Sequence, residues 1–182
     1  MGWNIGGVPV AGAGKYGYNA AQTTCLRSAT IPCGASAPCA PTVACNKYTA
    51  YYFRQNVSFT AAELSTTFQT IQLNVKRDDG IVIYVNGVER AANNMPAGRT
   101  YATLASANIA VGAAENVSFN LSPAFFSAGA NTIAVEIHTA AVQSADMSFD
   151  MEVLGLSNNG THNSSSADLN LPSCSSVLFA GL

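Results

Sequence analysis

Charged side chains are scarce in this sequence. Its 182 residues include 8 Lys and Arg and 10 Asp and Glu, and the formal net charge is −2. Outside one short stretch the basic residues stand singly, so the chain has no basic face that could neutralise a row of phosphates. This composition argues against nucleic acid as a partner.

Long apolar runs and the common catalytic motifs are also missing. No apolar run approaches the ~20 residues that a bilayer-spanning helix needs, so we predict no membrane span. The sequence has 2 His and contains no G-x-S-x-G, H-E-x-x-H or phosphate-binding loop, which predicts a protein that is not an enzyme. The first residues, MGWNIGGVPVAG, lack the basic and apolar regions of a secretory signal, so either a signal has been removed or the protein uses none.

Cysteines are concentrated in one segment. The sequence has 5 Cys, and four of them fall within 21 residues that are rich in Pro, Ala, Ser and Thr. Their spacing does not match the paired C-x-x-C ligands of a zinc site, so disulfides are favoured over metal. Disulfides imply an oxidising location, and we expect an extracellular or virion surface. The pairing stays open, and the odd number leaves one thiol unpaired or bonded to another chain. The disulfide candidates are Cys25, Cys33, Cys39, Cys45 and Cys174.

Apolar and polar residues alternate in short segments over much of the chain. In FQTIQLNV, Ile71, Leu73 and Val75 face one way and polar residues face the other, which is the period-2 pattern of a half-buried strand. Clusters of Gly, Pro and Asn separate such segments, and no helical pattern exceeds a turn or two. The sequence therefore predicts an all-β fold, an antiparallel jelly-roll β-sandwich. The other predicted strands include 51–59, 116–121, 131–139 and 147–156.

Three regions are expected along the chain. Residues 1–48 are predicted to be a Cys-rich loop segment that packs on the sandwich, and residues 49–156 are predicted to form the sandwich core. Residues 157–182 read as a polar linker followed by the apolar string SSVLFAGL. We predict that this string is a terminal strand, which adds to a sheet edge of its own chain or of a neighbour.

The stretch NVKRDDGIVIYVNG at 74–87 holds four adjacent charges in a chain that has few. Its last residues predict a tight hairpin turn at Asn86-Gly87. We interpret the RDDG segment as a hairpin corner, where Asp78 and Asp79 accept hydrogen bonds from turn amides and Gly80 takes a positive φ.

Two other roles for the RDDG segment stay open. Asp78 and Asp79 could bind Ca2+ through their carboxylate oxygens, or the segment could contact a ligand directly. Calcium is the one cofactor that the sequence suggests.

Several strings occur in an order that is typical of one family. They are YYFRQNVSF, then LNVKRDDGIVIYVNGVER with NNMPAG after it, then AGANTIAVEIHTAAVQSADMSFDMEV. Over about residues 14–155 the chain resembles the galactose-binding-like jelly-roll modules of secreted bacterial surface proteins and hydrolases. The resemblance implies the fold and a non-catalytic accessory role, but no ligand, because this fold hosts glycan binders, spacers and oligomerisation modules. The Cys-rich insertion departs from the family pattern, and so does the absence of a leading strand, which SSVLFAGL would supply.

Aromatic residues outside the clearest core positions can form a platform for sugar rings. The CH faces of a pyranose pack on an aromatic ring while its hydroxyls need polar neighbours. The alternative is that these residues belong to the core or its rim. The ligand-binding candidates are Trp3, Arg77, Tyr84, Asn94, Tyr101 and His138.

One set of polar residues could serve acid–base chemistry. Glu136 and His138 share a strand face, and Asp146 and Asp150 follow the next turn. We favour a structural role, because a polar residue is ordinary at a strand end and Glu136 could be the buried partner of an arginine.

Three functions fit these observations. The first is a secreted binding or adhesion module for a glycan or a neighbouring protein. The second is a structural subunit, such as a phage or virus decoration protein or a filament subunit. The third is a carbohydrate-binding accessory domain of a secreted hydrolase. The expected partners are copies of the chain itself, other surface or particle proteins, and glycans.

Overall fold

The computed structural model describes residues 48–142, 144 and 146–157, together with the backbone of four short strands at 4–5, 16–18, 24–25 and 160–161. Trp3, the terminal string SSVLFAGL and the cysteine side chains lie outside the described residues, so the predictions made for them stay predictions. No helix in the described part is long and apolar enough to cross a membrane.

The first of two sheets has five strands, which pair antiparallel in the order β1-β4-β9-β6-β7. These strands are β1 (Asn4–Ile5), β4 (Ala50–Phe59), β6 (Gly80–Val85), β7 (Val88–Asn93) and β9 (Gly129–His138).

The second sheet has six strands, in the order β3-β2-β10-β5-β8 with β11 beside β10. All of its pairs are antiparallel except that of β2 with β3. Its strands are β2 (Tyr16–Tyr18), β3 (Thr24–Cys25), β5 (Thr70–Asp78), β8 (Asn116–Leu121), β10 (Met147–Ser157) and β11 (Gly160–Thr161). A π-helical turn at Glu63–Thr67 and 3-10 turns at Ala113–Glu115 and Pro123–Phe125 connect strands.

The core lies between the two sheets and contains the inward-facing residues of their strands. Phe53 of the first sheet and Phe149 of the second are fully buried, and their ring centroids are 4.3 Å apart. Ile71, Leu73 and Val75 are buried as their alternation predicted. The prediction of an all-β antiparallel sandwich is confirmed.

The RDDG segment joins the two sheets. β5 belongs to the six-stranded sheet and β6 to the five-stranded sheet, so the prediction of a hairpin corner was wrong. Gly80 does not have a positive φ either. It is glycine because residues 94–105 pass directly over it: a Cβ on Gly80 would collide with Met95 Sδ and would lie 2.9 Å from Ala105 Cβ. The tight turn at Asn86-Gly87 is confirmed, since both residues have positive φ, 52° and 81°, between β6 and β7.

Candidate functional site

Asp79 ties two loops to the crossing between the sheets. Its Oδ1 accepts a hydrogen bond from the Ile109 amide at 2.7 Å, and its Oδ2 accepts one from the Ala140 amide at 2.6 Å. The side chain of Asn94 donates to the Asp79 carbonyl at 3.2 Å and to the Ala107 carbonyl at 2.7 Å. Asp79 is 1% exposed, so these contacts replace water. The loop between β7 and β8 is therefore anchored to this carboxylate.

Asp78 is a neutral acid beside Asp79. Burial, together with a hydrogen bond to Asp79 and the negative charges of Asp79 and Asp146, raises the pKa of Asp78 to about 9. The carboxyl keeps its proton at neutral pH, because a second buried negative charge would be costly at this position. Among the described residues its Oδ2 has no hydrogen-bond partner.

The two basic residues of the stretch also serve the fold. Arg77 is buried and donates to the Asn93 side chain and to the Ala114 carbonyl. Lys76 Nζ lies 2.8 Å from the buried Glu115 carboxylate. Burial alone would raise the pKa of Glu115, but hydrogen bonds from Lys76, Ser148 and the Gly112 amide lower it. The charge cluster is thus a network of internal contacts.

The calcium prediction for Asp78 and Asp79 stays a prediction. Both Asp79 oxygens already accept amide hydrogen bonds, and Asp78 holds a proton that a cation would have to displace. In the part of the chain that the structure describes, no group of three or more His, Cys, Asp or Glu side chains could hold a metal ion.

His138 connects the loop between β7 and β8 to β9 of the five-stranded sheet. It is fully buried, its Nδ1 lies 2.7 Å from the Thr103 carbonyl, and its Nε2 lies 3.2 Å from Glu136 Oε2. Because the carbonyl is an acceptor, Nδ1 carries a proton. His138 thus lies between Thr103 and Glu136 and is not itself open to a ligand.

Three tyrosines and Glu136 form what we call the tyrosine patch: Tyr52, Tyr84, Tyr101 and Glu136. Tyr52 lies directly opposite Glu136 across β4 and β9, and Tyr84 on β6 lies opposite Ala134. Tyr52 is 37% exposed and Tyr101 75% exposed, and the Glu136 side chain keeps 22% exposure. The patch is on the outer face of the five-stranded sheet, beside the loop that Asp79 and His138 anchor.

The strand register places Tyr52 and Tyr84 near Glu136, and the pKa values of both tyrosines respond to its charge. Burial and then the charges of Glu136 and Tyr101 raise the pKa of Tyr52. Burial also raises the pKa of Tyr84, as do the charges of Glu136 and Glu89 and a hydrogen bond with Glu136. Both phenols are therefore protonated at neutral pH, next to a carboxylate that accepts hydrogen bonds.

The predicted ligand residues are distributed over different places. Tyr84 and Tyr101 both belong to the tyrosine patch, and His138 contacts Glu136 of that patch. Asn94 holds the loop, and Arg77 is inside the charge network. Sequence reasoning missed Tyr52 and considered Glu136 only for catalysis or as the buried partner of an arginine. Their alternation marks both as outward-facing, but the register of β4 with β9 cannot be read from the sequence.

The proposed acid–base set is divided between the sheets. Glu136 and His138 are on β9 of the five-stranded sheet, whereas Asp150 is on β10 of the six-stranded sheet and pairs with Lys76. Burial raises the pKa of Asp146, and so do the charges of Asp79 and Glu115. The structure does not bring these four residues together.

A polar groove of about 770 Å3 lies on the outer face of the six-stranded sheet. Asn74 on its floor accepts a hydrogen bond from Ser118 at 2.8 Å and donates one to Glu152 at 3.2 Å. None of the lining residues is aromatic. This groove gives a reference surface against which the tyrosine patch can be tested.

Comparisons with known proteins give only distant similarities. No family model and no curated protein matches this chain. Among solved structures, the α-L-rhamnosidase of Streptomyces avermitilis is similar over 63% of this chain and 9% of its own, at 16% identity and a TM-score of 0.42. The β-glucuronidase 2 of Bacteroides uniformis is similar over 85% of this chain and 17% of its own, at 13% identity and a TM-score of 0.40. A putative β-galactosidase of Bacteroides fragilis is similar over 85% of this chain and 24% of its own, at 12% identity and a TM-score of 0.37. The chain thus spans less than two thirds of the length of these proteins, and similarity at this level assigns it to no family.

Proposed function

We propose that this chain is a non-catalytic β-sandwich module that binds glycans through the tyrosine patch, at an extracellular or particle surface. The observation that carries the proposal is the position of Tyr52 and Tyr84 beside Glu136, with Tyr101 near Tyr52, on an exposed sheet face. The proposed role of the module is binding, without a catalytic reaction.

The chemistry of the patch suits a sugar. A pyranose presents apolar CH faces, which pack on aromatic rings, and hydroxyl groups, which need hydrogen-bond partners. The tyrosine rings offer the packing surface and the Glu136 carboxylate offers acceptor oxygens. Flanking phenol groups can both donate and accept.

The side chains of the tyrosine patch are also held in position without a ligand. Tyr52, Tyr84 and Glu136 stand on paired strands, and His138 contacts one oxygen of Glu136. Tyr101 is on the loop between β7 and β8. This loop is held by hydrogen bonds of Thr103 with His138 and of Ile109 with Asp79. A site whose side chains are already ordered loses less entropy on binding.

A glycan array followed by isothermal titration calorimetry tests the proposal. We expect the wild type to bind one class of glycan, and Tyr101→Ala to weaken that binding at least tenfold, the loss of a stacking contact worth about 1.4 kcal/mol. Tyr48→Ala is the matched control, because Tyr48 is also exposed and packs edge-on against Tyr51. A wild type that binds no glycan, or equal losses in the two variants, would contradict the proposal.

A further inference from the structure

We infer that the tyrosine patch selects neutral sugars over sugars that carry a carboxylate, and that Glu136 sets this selectivity. The inference rests on the proposed glycan binding and adds the class of ligand. It concerns the balance of charge at one face of the five-stranded sheet.

Glu136 is the charge that a sugar bound on the patch meets most directly. Its Cα partners are Tyr52 on one side and Val82 on the other, and the phenol of Tyr84 forms a hydrogen bond with it. The Glu136 side chain is 22% exposed, so water screens its charge less than that of a fully exposed acid. A ligand carboxylate stacked on the same rings would stand within a few ångströms of it and would lose affinity by about tenfold or more.

Nearby basic residues are weaker influences. His138 contacts Oε2 of Glu136 at 3.2 Å, but it is fully buried and does not meet a sugar on the patch. Arg99 already forms an ion pair with Glu89. Arg54 stands on the same face, two residues from Tyr52 and opposite Ala134, but it is exposed to solvent. An ion pair at such a position changes affinity by less than about fivefold. Repulsion from Glu136 therefore outweighs attraction to Arg54.

A sugar hydroxyl next to Glu136 raises affinity, whereas a ligand carboxylate there lowers it. The carboxylate accepts hydrogen bonds, and a neutral sugar supplies hydroxyl donors that replace the water lost from Glu136 on binding. A uronic acid brings a second acceptor-only group, so its carboxylate and that of Glu136 cannot donate to each other. Neutral hexoses, which differ from uronic acids only at C6, are thus the favoured class.

The test compares matched pairs of ligands by titration calorimetry: methyl galactoside with methyl galacturonide, and methyl glucoside with methyl glucuronide, each also as a short oligosaccharide. We expect the wild type to bind the neutral member at least tenfold more tightly. Glu136→Gln keeps the shape and an acceptor oxygen, and it should reduce this ratio to about threefold or less. Raising the salt concentration should lower the ratio in the wild type and leave the variant unchanged.

Two further variants complete the design. Glu152→Gln is the matched control, because Glu152 is an exposed acid on the six-stranded sheet, and it should leave the ratio unchanged. Arg54→Ala should increase the ratio, by removing the attraction that partly offsets Glu136. Thermal melting establishes that each variant is folded.

The outcomes separate the inference from the proposed function. If the wild type binds neither member of any pair, the proposed function fails. If it binds both members equally, or if Glu136→Gln leaves the ratio unchanged, glycan binding stands and the inference is overturned. Equal binding of both members would mean that His138 and Arg54 cancel the charge of Glu136.

Discussion

Replacing Asp79 by asparagine should destabilise the fold strongly, although the two side chains have almost the same shape. Asp79 accepts hydrogen bonds from Ile109 and Ala140, which lie 30 and 61 residues away along the chain. Asparagine has a single oxygen, so its NH2 group would face one of these amide N–H donors. One charge-assisted hydrogen bond is lost, one becomes neutral, and one buried amide is left without a partner.

The expected loss is about 2–4 kcal/mol in the free energy of unfolding, from one unsatisfied buried group and one weakened hydrogen bond. Removing the charge of Asp79 should also lower the pKa of Asp78, because that charge is one cause of its elevation, and this change offsets part of the loss at neutral pH. Urea denaturation should show a lower midpoint with an unchanged slope. The matched control is Asp150→Asn. Within the described residues the Asp150 carboxylate accepts from the adjacent Met151 amide, at 3.0 Å, and its replacement should cost less than about 1 kcal/mol. A loss below about 0.5 kcal/mol for Asp79→Asn would refute the anchoring role.

Two further perturbations test the same region. Because folding raises the pKa of Asp78 to about 9, the folded state keeps a proton that the unfolded state loses above about pH 4. The free energy of unfolding should therefore fall between about pH 4 and 9, by at most about 1.4 kcal/mol per unit for this proton, and Asp78→Asn should reduce that slope. Denaturation midpoints that stay constant over this range would contradict the assignment of a neutral Asp78. Gly80→Ala should lower the free energy of unfolding by about 1–3 kcal/mol, because the added Cβ would force Met95 and Ala105 away. A urea midpoint equal to that of the wild type would show that the loop over Gly80 moves freely.

Local sequence patterns predicted the strands and the core well. Alternation identified the buried Ile71, Leu73 and Val75, since the period of two is a property of each strand alone. Asn86-Gly87 was equally clear, because a two-residue turn with positive φ has a narrow choice of residues. Such features depend on neighbours in sequence.

Non-local pairing could not be predicted in the same way. β5 and β6 are separated by a single residue, yet they join different sheets, so the RDDG segment holds loops from distant parts of the chain. The contact of Tyr52 with Glu136 depends in turn on the register of β4 with β9. A one-residue shift in that register would move every side chain of a strand to the opposite face. The charge cluster could be located from the sequence, but its partners and the tyrosine patch could not.

The most direct test of the account is to map a bound glycan by NMR. Backbone amide shifts of the isotopically labelled protein would be followed while the best ligand from the array is added. The account predicts shifts at Tyr52, Tyr84 and Glu136 and in the loop around Tyr101, with none at the groove residues of the six-stranded sheet. Shifts centred on Asn74, Ser118 and Glu152, with the tyrosine patch unchanged, would contradict it.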